Sequence, residues 1–367
     1  MKSVYRIILL IILISPFCQA THLKGGEILA SHVSGQTYNI KVRMYTDVNA
    51  AAAGGMTTIL VCMGDGNTKE FSKTASNAVP GSAGVVAMDF ENRYTYSSPG
   101  TFQISASIDN RVGEMLNLPA SGQTPGFIWT VINTQVSNST PILPYLSFDA
   151  GVRQAFTVDL APTGADQDSV TIRVHRLSKP SPGTCGVRMM DRSYLFPNEI
   201  SSNGIFKVVP AKKQLVWEAP EVAGVYGFAL VVDEWRDGIK ISETYREGTI
   251  TVTDRPGPTV EIPPYESSEY GNLITSAPHV KSPEISMAIE AYPVPTEDFV
   301  TVKAFSKKRE IIKLQLVDLN GRILREIASK NPEILMQEEF DLRNVARGVY
   351  IIRATNNNDS VSQKVVR

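Results

Sequence analysis

Apolar and polar positions alternate along most of this chain, and no long stretch repeats at the helical period. "TYNIKVRMY" puts Tyr38, Ile40, Val42 and Met44 on one face and Asn39, Lys41 and Arg43 on the other. "TFQISASI" repeats the pattern with Phe102, Ile104, Ala106 and Ile108. A period of two with one polar face is what a strand needs when its other face packs in a two-layer sandwich. Turn-forming runs break the strands at short intervals, as in "MGDGNT", "YSSPGT", "KPSPGT" and "SSNGIF". The pattern predicts an all-β protein built of tandem sandwiches.

Three modules are expected. The first covers residues 21–136, "VSNSTPILP" acts as a joint, and the second covers 137–254. Residues 255–288 are rich in Pro, Ser and Gly with little alternation, which reads as a solvated linker with too little apolar surface to offset its ordering entropy. The third module occupies 289–367. "PGTFQISA", "AGVYGFALVV" and "RGVYIIRA" occur once per module, each a glycine, a β-branched residue and an aromatic ahead of an apolar strand. We read them as one structural solution used three times.

Composition adds a folded, exported protein. Apolar residues make up 43% of the 367 and charged residues 20%, with a net charge of −1. Nucleic acid is not an expected partner, because a phosphate-binding surface needs a surplus of Lys and Arg. "MKSVYRIILLIILISPFCQA" has basic Lys2 and Arg6, an apolar run and a small-x-small end, and reads as a signal peptide over residues 1–20. The run is too short for a permanent span, and no later segment is apolar enough for one. The mature chain keeps Cys62 and Cys185, whose surroundings belong to different expected modules, so two free or buried thiols are expected in place of a bridge.

The third module resembles the type A C-terminal sorting domain of the type IX secretion system of certain Gram-negative bacteria. "YPVPTEDFVTV" resembles the family's opening Y-P-N-P-T through Tyr292, Pro293, Pro295 and Thr296, with Val294 in place of the usual Asn. "LVDLNGRIL" resembles its hairpin, with Gly321 in the turn. "FDLRNVARGVYIIRA" supplies the G-[IV]-Y segment as Gly348, Val349 and Tyr350, and "QKVVR" the closing Lys364, Val365 and Val366. The resemblance implies Sec export to the periplasm, recognition by the type IX machinery and delivery to the cell surface or the medium.

The front modules resemble surface modules of the same bacteria. "GDGNTKEF" followed by "YTYSSPGTFQI" is similar to polycystic-kidney-disease repeats, which are immunoglobulin-like sandwiches. "LVWEAPEVAGVYGFALVVDEWRDGIKISETYREGTITV" resembles cadherin-like modules of gliding-associated surface proteins, with Trp217, Tyr226, Glu234, Arg236, Gly238, Arg246 and Glu247 at the matching places. "THLKGGEI" looks like the mature start of such proteins. The resemblance implies an immunoglobulin-like fold and contact with an extracellular protein or glycan.

Catalytic chemistry finds little to stand on. His22, His32, His175 and His279 are the only histidines, and His175 in "VTIRVHRL" is expected on a polar strand face beside Arg173. His22, Glu27 and His32 have no zinc spacing. Neither cysteine has a sequence-near histidine, and Glu218 with Glu221, or Asp233, Glu234 and Asp237, read as solvated turn acids. Asp166 and Asp168 in "DLAPTGADQDSV" offer a weak calcium loop, set against a polar turn bonding its own amides. No catalytic, cofactor or metal residue is therefore assigned. The expectation is a non-enzymatic binding or adhesion protein. The alternative is a carbohydrate-binding accessory protein using Trp129, Trp235 or the tyrosines of "YESSEY", and a hydrolase with converging loops comes after it.

Overall fold

The computed structural model describes residues 23–48, 55–108, 111–163, 168–186, 188–268, 272–275 (backbone alone), 287–318, 321–357 and 359–367. The expected signal peptide lies outside them. The alternation becomes strands nearly everywhere. In the front part these are β1 (Leu23–Ser34), β2 (Thr37–Asp47), β3 (Thr58–Cys62), β4 (Thr68–Ala78), β5 (Val85–Thr95), β6 (Thr101–Ile108) and β7 (Gly126–Asn133). Next come β8 (Asp149–Gly151), β9 (Phe156–Asp159), β10 (Ser169–His175), β11 (Ser178–Pro180), β12 (Arg188–Met190), β13 (Ile205–Val209), β14 (Gln214–Glu218), β15 (Gly224–Arg236), β16 (Ile239–Thr253) and β17 (Asn272–Thr275). The C-terminal unit holds β18 (Met287–Tyr292), β19 (Phe299–Glu310), β20 (Lys313–Asp318), β21 (Ile323–Ala328), β22 (Glu333–Asp341), β23 (Val349–Thr355) and β24 (Ser360–Val366). The fold is all-β.

Tyr38, Ile40, Val42 and Met44 of β2 are buried together, as the alternation predicts. On β6 the predicted apolar face is buried, but so are Gln103 and Ser105 of the other face. That face is covered because β18 of the C-terminal unit lies against β6 and β7. Tyr226 and Tyr350, from two of the recurring segments, each donate a hydroxyl hydrogen bond to the carbonyl four residues upstream, Val222 at 2.8 Å and Ala346 at 2.6 Å. Phe102, in the third, stacks on Tyr96 at 4.0 Å instead.

The expected division at residue 136 is not a division of structure. One sheet runs β1-β2-β5-β4-β3-β6-β7-β16-β15-β10-β17, so it crosses both front modules. β16 pairs with β15 along one edge. Along the other it takes β7 at Ser242–Thr244 and β1 at residues 246–248, so the path from β1 to β7 closes on it. One apolar core extends from Leu23 to Val252. The joint itself lies along β1: the Thr140 amide donates to Ala30 O at 2.9 Å, and the Ala30 amide donates to Thr140 Oγ1 at 3.0 Å.

Buried ion pairs seal this junction. Neighbouring side chains on a strand point to opposite faces. Arg246 and Glu247 accordingly leave β16 in opposite directions, and each reaches an opposite charge in the first module. Arg246 Nε lies 3.0 Å from Glu27 Oε2, with both side chains buried. Arg111 grips Glu247 with two hydrogen bonds, Nη2 to Oε2 being 2.7 Å, while its Nη2 also donates to Ser178 O. Glu27 also accepts from the Tyr45 hydroxyl at 3.3 Å and lies 3.9 Å from Nη1 of Arg43, which holds Asp89 by two bonds of 2.8 and 2.9 Å.

Cys62 and Cys185 are bridged, which corrects the expected free thiols. Their Cα atoms are 5.8 Å apart across 123 residues of sequence. The loop after β11 belongs to the separate β11–β12 hairpin, whose packing on β7 brings it beside the end of β3, and nothing local in the sequence reports that approach. The expected linker is also partly docked. The Val260 amide donates to Arg153 O at 2.8 Å, the Gly204 amide to Pro263 O at 3.0 Å, and Lys207 Nζ lies 2.6 Å from Glu266 Oε2. β17 then adds to β10. Hydrogen bonds to a neighbouring surface hold this proline-rich backbone where an apolar stripe is lacking. Residues 276–286 lie outside the described ones.

The C-terminal unit has its own core, from Met287 to Val365, between the sheets β18-β19-β22 and β21-β20-β23-β24. Gly321, at φ 82°, sits in the β20–β21 turn, where its amide donates to Asp318 O.

Removing one partner of a buried ion pair leaves a bare charge, at a cost of about 3–5 kcal/mol. Arg246→Met is expected to lower the stability of the front part by that amount, and Glu27→Gln in the same chain to restore part of it. Urea unfolding checks this, and both modules should unfold in one transition.

Candidate functional site at the seat of the C-terminal unit

The segments that carry the sorting resemblance are far apart in sequence and meet at one end of the C-terminal unit. β24 pairs with β23 so that Val366 faces Val349, Val365 faces Tyr350 and Lys364 faces Ile351. The Thr296 amide donates to Val366 O at 2.8 Å, and Gly348 and Arg367 exchange two backbone hydrogen bonds. Gln363 clasps Ala291, accepting from its amide at 2.6 Å and donating to its carbonyl at 3.0 Å. The Arg367 guanidinium donates to the carbonyls of Glu297, Arg343 and Val345. Tyr292, Pro293, Pro295 and Thr296 thus lie beside the closing strand, and Gly321 is the one predicted signal residue in a separate turn.

This end rests on the front part. β18 is buried on both faces. Met287, Ile289 and Ala291 enter the C-terminal core, whereas Ala288, Glu290 and Tyr292 face the front part. Ala288 packs with Ile239 of β16 and Phe305. Thr101 of β6 donates its hydroxyl to Ile289 O. The Arg188 guanidinium lies between two rings, 4.0 Å from the Trp129 centroid and 4.4 Å from that of Tyr292, and Lys303 approaches Tyr292 at 4.8 Å. The "GDG" turn joins this seat. Gly66, at φ 90°, abuts Val366, and a Cβ there would stand 3.1 Å from Val366 Cγ2. Gly64 has no room for a side chain at all, since Gln103 O would lie 2.6 Å from it. Asp65 fixes the turn by accepting from the Tyr94 hydroxyl at 2.6 Å, and burial with that contact pushes Tyr94 up to about 12. A cleft of about 360 Å³ runs between residues 181–185 and Pro295, Asp298 and Arg367.

Charge is concentrated under β18. Lys240 Nζ lies 2.9 Å from Glu243, 3.4 Å from Asp233 and 3.8 Å from Glu290. Arg173 reaches Asp233 at 3.3 Å and Glu243 at 3.4 Å, and Arg188 reaches Glu243 at 3.8 Å. Burial works against charge on Glu243, but Arg188 and Lys240 outweigh it and hold its carboxyl well below the usual range. Burial pushes Glu290 up, with Lys240 opposing. Both Glu290 oxygens lack a hydrogen-bond donor among the described residues, and a cavity of about 10 Å³ adjoins them.

The other predicted residues are held in structural roles. His175 is half-buried on the polar face of β10 and not fully solvated: its ring lies 5.8 Å from Tyr245 and 6.5 Å from Trp129, and Nδ1 donates to Arg176 O at 2.6 Å. Burial lowers it to about 4. Asp233 and Glu234 are buried, not turn acids in water, and Glu234 accepts from Asn138 and Ser242 at 2.6 Å each. Asp168 is taken by Arg236 through bonds of 2.8 and 2.6 Å, while Asp166 lies outside the described residues. No group of three or more His, Cys, Asp or Glu gathers to hold a metal among the described residues. Trp129 is 1% exposed and Trp217 is buried against Tyr226 at 4.8 Å, leaving half-buried Trp235 and Tyr265, 44% exposed, as aromatic platforms. His22, His279 and Tyr270 are not described.

Sequence reasoning missed Glu290, Arg188 and Lys240. The available signal was Glu290 itself, one acid in the apolar run "MAIEAY". A charge in a strand covered on both faces needs a partner.

Residues 290–367 match the family described as "Secretion system C-terminal sorting domain". The C-terminal unit is therefore a sorting domain of this kind. The chain is type IX secretion cargo, which implies interaction with the type IX machinery and export to the cell surface or the extracellular space. The match leaves the front part unassigned. No curated protein matches the chain significantly. A solved structure titled "Biofilm associated protein - BSP domain" is similar at 8% identity over 94% of this chain and 81% of that one, but its TM-score of 0.18 carries no argument. No helix among the described residues is long and apolar enough to cross a membrane.

Two outcomes follow for the seat. Each cation–π contact at Tyr292 is worth about 0.5–2 kcal/mol. Tyr292→Ala is expected to release the sorting domain from the front part, raising the radius of gyration in small-angle scattering without changing the circular dichroism. An unchanged radius means that other contacts hold the seat. Near it, the neutral His175 imidazole must take up a proton on unfolding once the pH drops below its ordinary value of about 6.5. Its contribution is fully present above that pH and is lost as pH falls toward about 4. The loss is expected to be about 1–3 kcal/mol, read as the difference between the unfolding curves of the natural chain and His175→Gln.

Proposed function

We propose that this is a non-enzymatic binding or adhesion protein of a Gram-negative cell surface. It enters the periplasm by the Sec route and leaves through the type IX system. The front part makes the external contact, with modules of polycystic-kidney-disease-like and cadherin-like character, and the C-terminal domain is its export address. The reading is carried by the convergence of the three sorting segments at one end of a domain with its own core, in the region that matches the sorting family. Of the ionisable residues that suggested chemistry in the sequence, Glu27, Asp168 and Glu234 are engaged in ion pairs or hydrogen bonds that join pieces of chain, which favours binding over turnover.

Deleting residues 292–367 tests the address. The expected result is retention of the protein in the periplasm, and unchanged appearance in the medium would reject it. Turnover of peptide or glycoside substrates by the front part would reject the non-enzymatic half.

A further inference from the structure

Three features of the seat are not explained by the closing of either core. A buried carboxylate, Glu290, stops 3.8 Å from both Lys240 and Lys303, beyond hydrogen-bond reach. The front part supplies Arg173, Arg188 and Lys240 against Asp233 and Glu243, a surplus of one cation, and Glu290 faces it from across the boundary while sharing its charge with Lys303 of its own domain. Arg188 is stacked on Trp129 with its other side given to Tyr292. A contact shaped only for stability would close these gaps, because buried charges without full hydrogen bonding cost more than they return.

The occupant is an extended strand that presents a small side chain, an acid and an aromatic at alternate positions, Ala288, Glu290 and Tyr292. Thr101 donates to its backbone at Ile289, a contact any peptide can make. A strand fixed in the sorting domain cannot adjust its depth, whereas a free peptide can bring its carboxylate to the roughly 2.8 Å of a charge-assisted hydrogen bond. We infer that the seat is a peptide-binding site of the front part, selective for an extended segment with a carboxylate and an aromatic ring two residues apart, which the sorting domain fills in cis. This deepens the proposed function and rests on the reading that the front part acts by binding.

Displacement is open to the fold. The two main cores share no residue, only the small cluster of Ile239, Ala288 and Phe305 bridges them, and among the described residues no strand of the sorting domain pairs with a front strand. The front part, with its own core and disulfide, is therefore expected to fold alone as residues 21–275, which its circular dichroism checks. The cis strand acts as a tethered competitor at an effective concentration of about millimolar, so the intact chain should bind added peptide more weakly.

The test is fluorescence anisotropy with a labelled peptide of residues 287–293. Saturable binding to the folded 21–275 fragment is expected, with Kd of about 10–100 µM. The Glu290→Gln peptide should bind about tenfold more weakly, as the loss of one charge-assisted contact predicts. Lys240→Met in the fragment should produce a similar loss. The intact chain should bind at least about tenfold more weakly than the fragment. Absence of saturation at about 1 mM on a fragment with native circular dichroism overturns the inference, as does equal binding of the Gln peptide. Competition by polygalacturonate as effective as that of the peptide overturns the peptide assignment. Surface attachment without peptide binding rejects this site and keeps the proposed function, whereas peptide binding without surface attachment keeps the site and rejects adhesion.

Discussion

The fold of the front part depends on β16, and on β16 it depends on two neighbouring residues of opposite charge. Arg246 and Glu247 project to opposite faces, and each reaches a buried partner contributed by the first module, Glu27 and Arg111. Pairs of this kind add little to stability, because desolvation consumes most of the attraction. Their effect is on register. A slip of one residue along β16 exchanges the two faces, setting Arg246 against Arg111 in one direction or Glu247 against Glu27 in the other. The strand is thereby locked where it accepts β7 and β1 on one edge and β15 on the other.

That locking gives a structural use to the polar residues singled out between Leu215 and Val252. Glu234, Arg236, Arg246 and Glu247 all hold partners outside the β15–β16 hairpin: Asn138, Asp168, Glu27 and Arg111. They join pieces of chain and leave no free acid or base of their own. The disulfide between β3 and the loop after β11 adds a covalent tie between the same two modules. Arg188, just beyond that loop, helps form the seat, so the tie that stabilises the front part also steadies one wall of it.

The seat follows a different logic. The front part is closed by complementary ion pairs, whereas the sorting domain is held by ring stacking, one small apolar cluster and a carboxylate that stops short of its partners. Separate cores and separate sheets let it detach without unfolding either unit. These contacts hold the separately folded sorting domain beside its cargo without making it part of the cargo.

Period-two alternation established the all-β fold and the buried faces of β2 and β6, because pleat geometry ties side-chain direction to sequence position alone. Local motifs likewise established the sorting domain, since Tyr292, Gly348 and Tyr350 and the closing strand lie in short segments whose conformation is set nearby. Partnership was decided only in three dimensions. Arg246 and Glu27 meet through the pairing of β16 with β1, whereas Cys62 with Cys185 and Glu290 with Lys240 meet where separate sheets pack against each other. Whether His175 or Asp233 faces water depends on what covers the sheet, and alternation marks the two faces of a strand without saying what lies against either one.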